Sequence, residues 1–318
     1  MAEEVAVTQK DQTWKQWFDV PPVFIVGCAR SGTTLLRLML TAHPEISVAS
    51  EGAYIYRLRT NLSSYGELSN SENLQRLYRD IAPDIEFEKF LSPPTFEDLF
   101  NWCEVFDCSP RSIITFYGTW EARVLGKRTL RWWGDNAPYH VYHLPYFCSL
   151  FPACKVIFLV RDPRDVSASC RSNFGWSIPK TVGVWENAMM EALVAARSCL
   201  ADSRFLQVQY ENLVMNPGRH LQAVCKFLGV EYTDVMLSYH ESAAARALSK
   251  VDHHRNLVKP VFTKSVGTYR QALTEQETDT ITAKLYSGMR CLNYLSEEEY
   301  QRISQTQLTK KAQAARAQ

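Results

Sequence analysis

The sequence predicts an α/β fold in which helices flank a central parallel sheet. Short apolar runs rich in β-branched residues alternate with longer segments of helical periodicity, which is the pattern of β–α units. The clearest run, Val23–Val26, passes at Gly27 into a loop and then into a helical pattern. Sheets of this class bind ligands at the carboxyl ends of their strands. A functional site is therefore expected in the loops that follow the apolar runs.

The other elements follow from the same patterns. Further strands are predicted at three apolar runs, namely Ile46–Ala49, Lys155–Val160 and Phe205–Val208. Helical spacing predicts three more segments, namely Ser31–Ala42, Val184–Leu200 and Leu221–Leu228. Gly229 suits the end of the last of these, and Thr274 with Glu277 forms a capping box that opens a C-terminal helix.

Composition limits the class of protein. The chain of 318 residues with 46% hydrophobic content fits one domain with a large core. Its 35 basic and 34 acidic residues leave no global field that favours nucleic acid or an anionic membrane. The nine cysteines form no CxxC pair, which is typical of reduced intracellular thiols rather than of disulfides or a zinc site. With no signal peptide and no run near the roughly 18 apolar residues of a membrane span, we expect a cytoplasmic protein, and a homo-oligomer is compatible with the sequence.

Three parts are expected along the chain. Residues 1–20 form a leader, residues 21–295 the domain, and residues 296–318 a helix end and tail. Inside the domain, residues 52–125 are mostly helical. One amphipathic stripe there consists of Phe96, Leu99, Phe100, Cys103 and Phe106. In the leader, Trp14, Trp17 and Phe18 have the spacing to fold one turn onto the body.

The loop after the first strand has the features of a phosphate-binding loop. Gly27 and Gly32 have the Walker A spacing, and the helix that follows would present free N–H groups and partial positive charge. The polar donors of the loop are Arg30, Ser31, Thr33 and Thr34. Thr33 stands where a Walker A motif has its lysine, which argues against a kinase or NTPase. The alternative is an ordinary strand–turn–helix with incidental glycines.

The segment ARSGTTLLR resembles the 5′-phosphosulfate-binding loop of sulfotransferases that use 3′-phosphoadenosine 5′-phosphosulfate (PAPS). It is most similar to the tyrosylprotein and bacterial forms, which share an arginine at the position of Arg30. The resemblance continues, in the same order, through TAHPEI, GDNAPYHVYHLPYFCSLFPACKVIFLVRDPRDVSAS, LQVQYENLVMNPGRHLQAVCKFLGV and SVGTYRQAL. It extends from about residue 22 to 290, and only residues 52–125 match weakly. It implies the P-loop-like sulfotransferase fold, PAPS as co-substrate with 3′-phosphoadenosine 5′-phosphate (PAP) as product, and no metal.

The resemblance also implies a nucleotide site. Arg161 and Ser169 match the residues that bind the 3′-phosphate, and arginine's planar fork suits that group. The alternative is that Arg161 and Asp165 form an ion pair on the surface. Tyr210 matches a nucleotide-contacting tyrosine of the tyrosylprotein enzymes, although a buried strand tyrosine is an equal alternative. Gly267 lies in the segment similar to one near the nucleotide.

Catalytic candidates come from the same comparison. The spacing of Glu51 from the loop matches the glutamate proposed as general base in the tyrosylprotein enzymes, and Arg30 is placed to bind the bridging oxygen. His140 is the alternative base, because cytosolic sulfotransferases use a histidine from the equivalent strand. Asn136 departs from the family pattern, since the tyrosylprotein enzymes have a lysine there that assists the leaving group. The competing hypothesis therefore remains that the protein binds a nucleotide, has lost catalytic activity and serves as an interaction module.

The acceptor is the least determined part of the reaction. The resemblance places residues 52–125 on the acceptor side. A small hydroxylated molecule, such as a natural-product or lipid-like intermediate, is the favoured acceptor, and a protein tyrosine is the alternative. The aromatic residues from Trp102 to Trp120, with Trp132 and Trp133, have two interpretations. They line the acceptor pocket or, as is more common for such stripes, they belong to the core.

Overall fold

The computed structural model describes residues 13–51, 54–84, 92–250, 252–299 and 301–303. A sheet of five parallel strands forms its centre, in the order β2–β3–β1–β4–β5. The strands are β1 (Pro22–Gly27), β2 (Ile46–Ala49), β3 (Trp132–Asn136), β4 (Lys155–Val160) and β5 (Phe205–Gln209). The predicted parallel sheet and its four predicted strands are confirmed.

Strand β3 was not predicted from the sequence pattern. Its residues, WWGDN, include a glycine and two short polar side chains, which are depleted in strands. The segment is a strand because it pairs on both sides, with β1 and with β2. All five of its residues are buried as a result.

Helices cover both faces of the sheet, as expected for parallel strands. Within the described residues the α-helices are α1 (Thr33–Ala42), α2 (Tyr54–Asn61), α3 (Ser71–Ile81), α4 (Phe96–Val105), α5 (Pro110–Val124), α6 (Leu144–Leu150), α7 (Pro163–Phe174), α8 (Ile178–Ser198), α9 (Tyr210–Met215), α10 (Pro217–Leu228), α11 (Ala243–Leu248), α12 (Tyr269–Ala272), α13 (Glu275–Lys284) and α14 (Tyr286–Cys291). Short 3₁₀ helices occur at Thr13–Trp17, Leu62–Tyr65, Ala82–Asp84, Pro138–His143, Asp202–Arg204, Asp234–Glu241 and Asp252–Val258. No helix among these described residues is both long and apolar enough to cross a membrane.

Local signals explain where the helices begin and end. The predicted end of α10 at Gly229 is confirmed, with φ of 75° at that glycine. The capping box of Thr274 and Glu277 at α13 is also confirmed. Helix α8 begins earlier than predicted, because the Ser177 side chain accepts a hydrogen bond from the Lys180 N–H and so caps its first turn.

The described part of the leader packs against the described part of the 52–125 region. Trp17 is buried, and the ring of Trp14 stacks on Trp102 with centroids 5.2 Å apart. The predicted helical character of the region is confirmed by α2 to α5. Trp102, Phe116, Tyr117 and Trp120 of this region are buried in the hydrophobic core, as are Trp132 and Trp133. The interpretation of these aromatic residues as core, not as an acceptor pocket, is therefore the correct one.

Candidate functional site

A cavity of about 910 Å³ opens at the carboxyl edge of the sheet. Loops that follow all five strands contribute to its walls, since residues after β1, β2, β3, β4 and β5 line it. Of the residues singled out from the sequence, those that line it are Arg30, Gly32, Thr33, Thr34, Glu51, Arg161, Ser169 and Tyr210. Ser31, His140 and Gly267 do not line it. Strand order divides the cavity into a β2–β3 end and a β4–β5 end, with the loop after β1 between them.

The loop after β1 has a left-handed backbone at two positions, of which only the non-glycine Arg30 is strained. Arg30 has φ of 66° and Gly32 has φ of 93°, both in the left-handed region. Only glycine fits at position 32, because a Cβ there would lie 2.4 Å from Cδ2 of Tyr210. Strain of this kind persists only when the surroundings fix it, and it concentrates at functional sites.

Helix α1 begins without a side-chain cap. Gly32 is its N-cap residue, and no side chain accepts a hydrogen bond from its first turn. Thr33 and Thr34 of that turn line the cavity. Uncapped N–H groups and the positive end of a helix dipole are the features that suit a helix N-terminus to binding an anion. Ser31, by contrast, is buried, and its hydroxyl has no hydrogen-bond partner among the described residues.

Arg161 connects the loop to the C-terminal segment. One of its terminal nitrogens donates to the Arg30 carbonyl oxygen at 2.9 Å, and the other donates to the Ser265 carbonyl oxygen at 2.6 Å. Its guanidinium lies 4.7 Å from the centre of the Tyr210 ring. The Arg161 backbone is held in turn, since its carbonyl oxygen accepts from Trp185 Nε1 at 3.0 Å.

The expected alternative of a surface pair between Arg161 and Asp165 is wrong. Asp165 is buried and accepts from the Gly267 N–H at 2.7 Å, the Thr268 hydroxyl at 3.0 Å and the Tyr269 N–H at 2.9 Å. This carboxylate fixes the turn at Gly267, where φ is 76°. Gly267 thus shapes the segment, while its neighbours Ser265 and Thr268 face the cavity.

Two further hydrogen bonds tie the β4–β5 end together. Arg30 Nε donates to the Ser169 hydroxyl at 3.2 Å, which joins the loop to α7. The Tyr210 hydroxyl and the Ser265 hydroxyl are 2.5 Å apart. Tyr210 begins α9 directly after β5, so it lies at the cavity edge and not inside the strand as one interpretation had it.

Glu51 lies at the β2–β3 end, two residues after β2. Burial lowers the pKa of Arg30, and the opposite charge of Glu51 acts against that shift, so the two side chains are within electrostatic range. Pro138, Tyr139 and Tyr142 from the 3₁₀ helix after β3 line the cavity near the same end.

The structure does not bring His140 to this cavity. The imidazole is fully buried, with Nε2 2.7 Å from Asp135 Oδ1. Asn136 is buried too and does not line the cavity; its side-chain oxygen has no hydrogen-bond partner among the described residues. Of the two candidate bases, Glu51 is therefore the one that faces the space beside Arg30.

Sequence reasoning missed most of the apolar lining. The residues concerned are Tyr139, Tyr142, Phe174, Trp176, Val184, Tyr239, Leu257, Val261 and Phe262. Phe174, at the end of α7, remains 43% exposed, and its ring centre lies 5.6 Å from the Arg30 guanidinium. No described residue from 54 to 125 lines the cavity. Within the region expected on the acceptor side, helix α5 packs against β2 and β3.

The fold and the site together define an α/β protein with an uncapped helix N-terminus and two arginines at the carboxyl edge of a parallel sheet. A sequence model described as "Sulfotransferase family" matches residues 21–234. The chain belongs to this family.

Relatives of known name agree with this assignment. The chain is 26% identical over 272 residues to protein-tyrosine sulfotransferase 2 of Gallus gallus, which covers 81% of this chain and 66% of that protein. It is 29% identical over 290 residues to nodulation protein NoeE of Sinorhizobium fredii, which covers 83% of this chain and 64% of that protein. The chain thus spans just under two thirds of the length of these relatives.

A solved structure confirms the predicted fold class. The sulfotransferase domain from the Synechococcus PCC 7002 olefin synthase superposes with a TM-score of 0.57 at 24% identity, covering 84% of this chain and 94% of that domain.

Proposed function

We propose that this protein transfers a sulfuryl group from PAPS to a hydroxyl group of a small organic acceptor. The observation that carries the proposal is that Glu51 and Arg30 line the same cavity as Arg161 and Ser169. A base, an electrophile and a second anion site thus share one space. Membership of the sulfotransferase family supports the type of group transferred.

The β4–β5 end and the loop would hold the nucleotide. The turn at Thr33 and Thr34 suits the 5′-phosphosulfate, because no side chain caps its N–H groups and its two hydroxyl-bearing residues line the cavity. Arg161 and Ser169 suit the 3′-phosphate, since one supplies a fixed charge and the other a neutral donor. Recognition of the 3′-phosphate would distinguish PAPS from nucleotides that lack this group.

The chemistry assigned to the cavity is an in-line displacement. The acceptor oxygen forms a bond to sulfur while the bond from sulfur to the bridging oxygen breaks, which releases PAP. Glu51 accepts the hydroxyl proton, because a neutral hydroxyl is too weak a nucleophile. Arg30 stabilises the negative charge that develops on the bridging oxygen.

The lining of the cavity supports a small and largely apolar acceptor. Among its described residues, the charged ones are Arg30, Glu51 and Arg161, and each already has a role in the transfer or the nucleotide site. No further cation of the described lining is available to pair with an acidic peptide around a tyrosine. A protein tyrosine stays the alternative, supported by the relatives of that name.

A screen with labelled PAPS tests the proposal. We expect PAP and a labelled ester to form with small hydroxylated compounds, with lower rates for tyrosine peptides. Transfer should proceed in EDTA, because Arg30 and hydroxyls take the place of the lysine and magnesium of a kinase. Absence of PAP formation with every acceptor, or transfer abolished by EDTA and restored by magnesium, would contradict the proposal and favour a binding module or an NTPase.

A further inference from the structure

The outward face of helix α8 carries an apolar stripe. Met190, Leu193 and Val194 are 56%, 46% and 53% exposed, and they are neighbours at helical spacing. The opposite face of the same helix is already buried, through residues such as Trp185, Ala188, Ala192 and Ala195. The other exposed large apolar side chains that the structure describes are spread over different elements. A grouped apolar patch of this kind marks an interaction surface.

The charges that flank the stripe are self-complementary. Glu186 lies four residues before Met190, and Arg197 lies four residues after Leu193. Glu186 and Arg197 are exposed, and neither forms an ion pair with a described residue of its own chain. The spacing of 4, 3 and 4 residues from Glu186 to Arg197 is that of a coiled-coil seam.

We propose that this face binds a second copy of the chain, with the two α8 helices antiparallel about a two-fold axis. Met190 and Leu193 flank the midpoint of the stretch from Glu186 to Arg197. A two-fold axis through that midpoint therefore packs Met190 of each copy against Leu193 of the other copy. One layer further out on both sides, Glu186 meets Arg197 of the second copy.

The order of the charges along α8 favours an antiparallel pairing with a second copy of the same helix. A parallel arrangement would set like charges side by side, Glu186 against Glu186 and Arg197 against Arg197. The antiparallel arrangement turns both ends into ion pairs and leaves the apolar residues at the centre, which are the layers that lose water. The seam is short, so the dimer should be in rapid equilibrium with monomer and tighter at low salt.

Sedimentation velocity of the full chain over a range of concentrations tests the proposal. The wild-type chain should associate reversibly, and Leu193→Lys should be monomeric. Met215→Lys is the matched control, because Met215 is 54% exposed on α9 and lies outside the seam. Unchanged circular dichroism would show that each surface variant folds. A monomeric wild-type chain, or a dimer that survives Leu193→Lys, would overturn the proposal.

Charge reversal then tests the antiparallel geometry. Glu186→Arg alone and Arg197→Glu alone should each weaken the dimer by about tenfold, because two-fold symmetry repeats each disrupted pair. A mixture of the two variant chains should associate with the wild-type strength, since every outer layer again joins opposite charges. A mixture that associates no better than either variant alone would overturn the antiparallel arrangement.

Discussion

The two ends of the cavity are built differently. At the β4–β5 end, polar groups cross-link the walls, with Arg161 bonded to the carbonyl oxygens of Arg30 and Ser265, and Tyr210 bonded to the Ser265 hydroxyl. The loops after β2 and β3 contribute Glu51 and the aromatic side chains of Tyr139 and Tyr142 to the other end of the lining. The difference fits the proposal that the charged nucleotide binds at the first end and the acceptor at the second.

The largest expected effect concerns the base at the β2–β3 end. Glu51→Gln keeps the shape of the side chain and removes its basicity. It should therefore lower turnover by about 10²–10⁴-fold and leave PAP affinity nearly intact. Steady-state turnover and calorimetric PAP binding measure the two quantities, with the exposed Glu231→Gln as control. Nearly full activity in Glu51→Gln, with loss of activity in a folded His140→Gln variant, would move the assignment to His140.

At the β4–β5 end, Arg161→Ala should weaken PAP binding by about 1.5–3 kcal/mol, the usual range for a hydrogen bond to a charged group. Binding of adenosine 5′-phosphosulfate, which lacks the 3′-phosphate, should change much less. Arg161 also holds the Arg30 carbonyl oxygen, so some loss for both nucleotides is expected from a loosened loop. Equal losses for the two would show that Arg161 only supports the loop.

A smaller effect, limited to the acceptor, is expected from substitution of Tyr142, an aromatic residue of the cavity lining. Tyr142→Ala should raise the KM for an apolar acceptor by about tenfold, because it removes apolar contact area, while PAP affinity stays unchanged. Tyr142→Phe is the matched control, since it keeps the ring and loses only the hydroxyl, which donates to the Val184 carbonyl oxygen at 3.3 Å. A change in PAP affinity with no change in acceptor KM would reverse the assignment of the two ends.

The smallest effect is expected from one cross-link of the β4–β5 end. Tyr210→Phe removes the hydroxyl bonded to Ser265 and keeps the ring beside Gly32. A single neutral hydrogen bond contributes about 0.5–1.5 kcal/mol, so PAP affinity should fall by no more than about tenfold. Isothermal titration measures it, and a loss as large as that of Arg161→Ala would mean that Tyr210 contacts the nucleotide directly.

Motif-level inference succeeded where a residue's position depends on a strand end. Arg30, Glu51 and Arg161 line one cavity because each follows a predicted strand, and Ser169 joins them from within α7, the helix after β4. It failed for His140, which directly follows Tyr139 in the chain but is buried with its imidazole against Asp135. A 3₁₀ turn after β3 decides which of these neighbours faces the cavity.

The sequence by itself determined the class of fold, four of the five strands and the phosphate-type loop, because these depend on local periodicity and on glycine spacing. The tertiary structure decided the rest. Strand β3 is a strand only because β1 and β2 pair with it. Segments distant in the chain enclose Trp102, Phe116, Tyr117 and Trp120 in the core, whereas Tyr139 and Tyr142 are left bordering the cavity. Such contacts join residues far apart in the chain, and no local pattern encodes them.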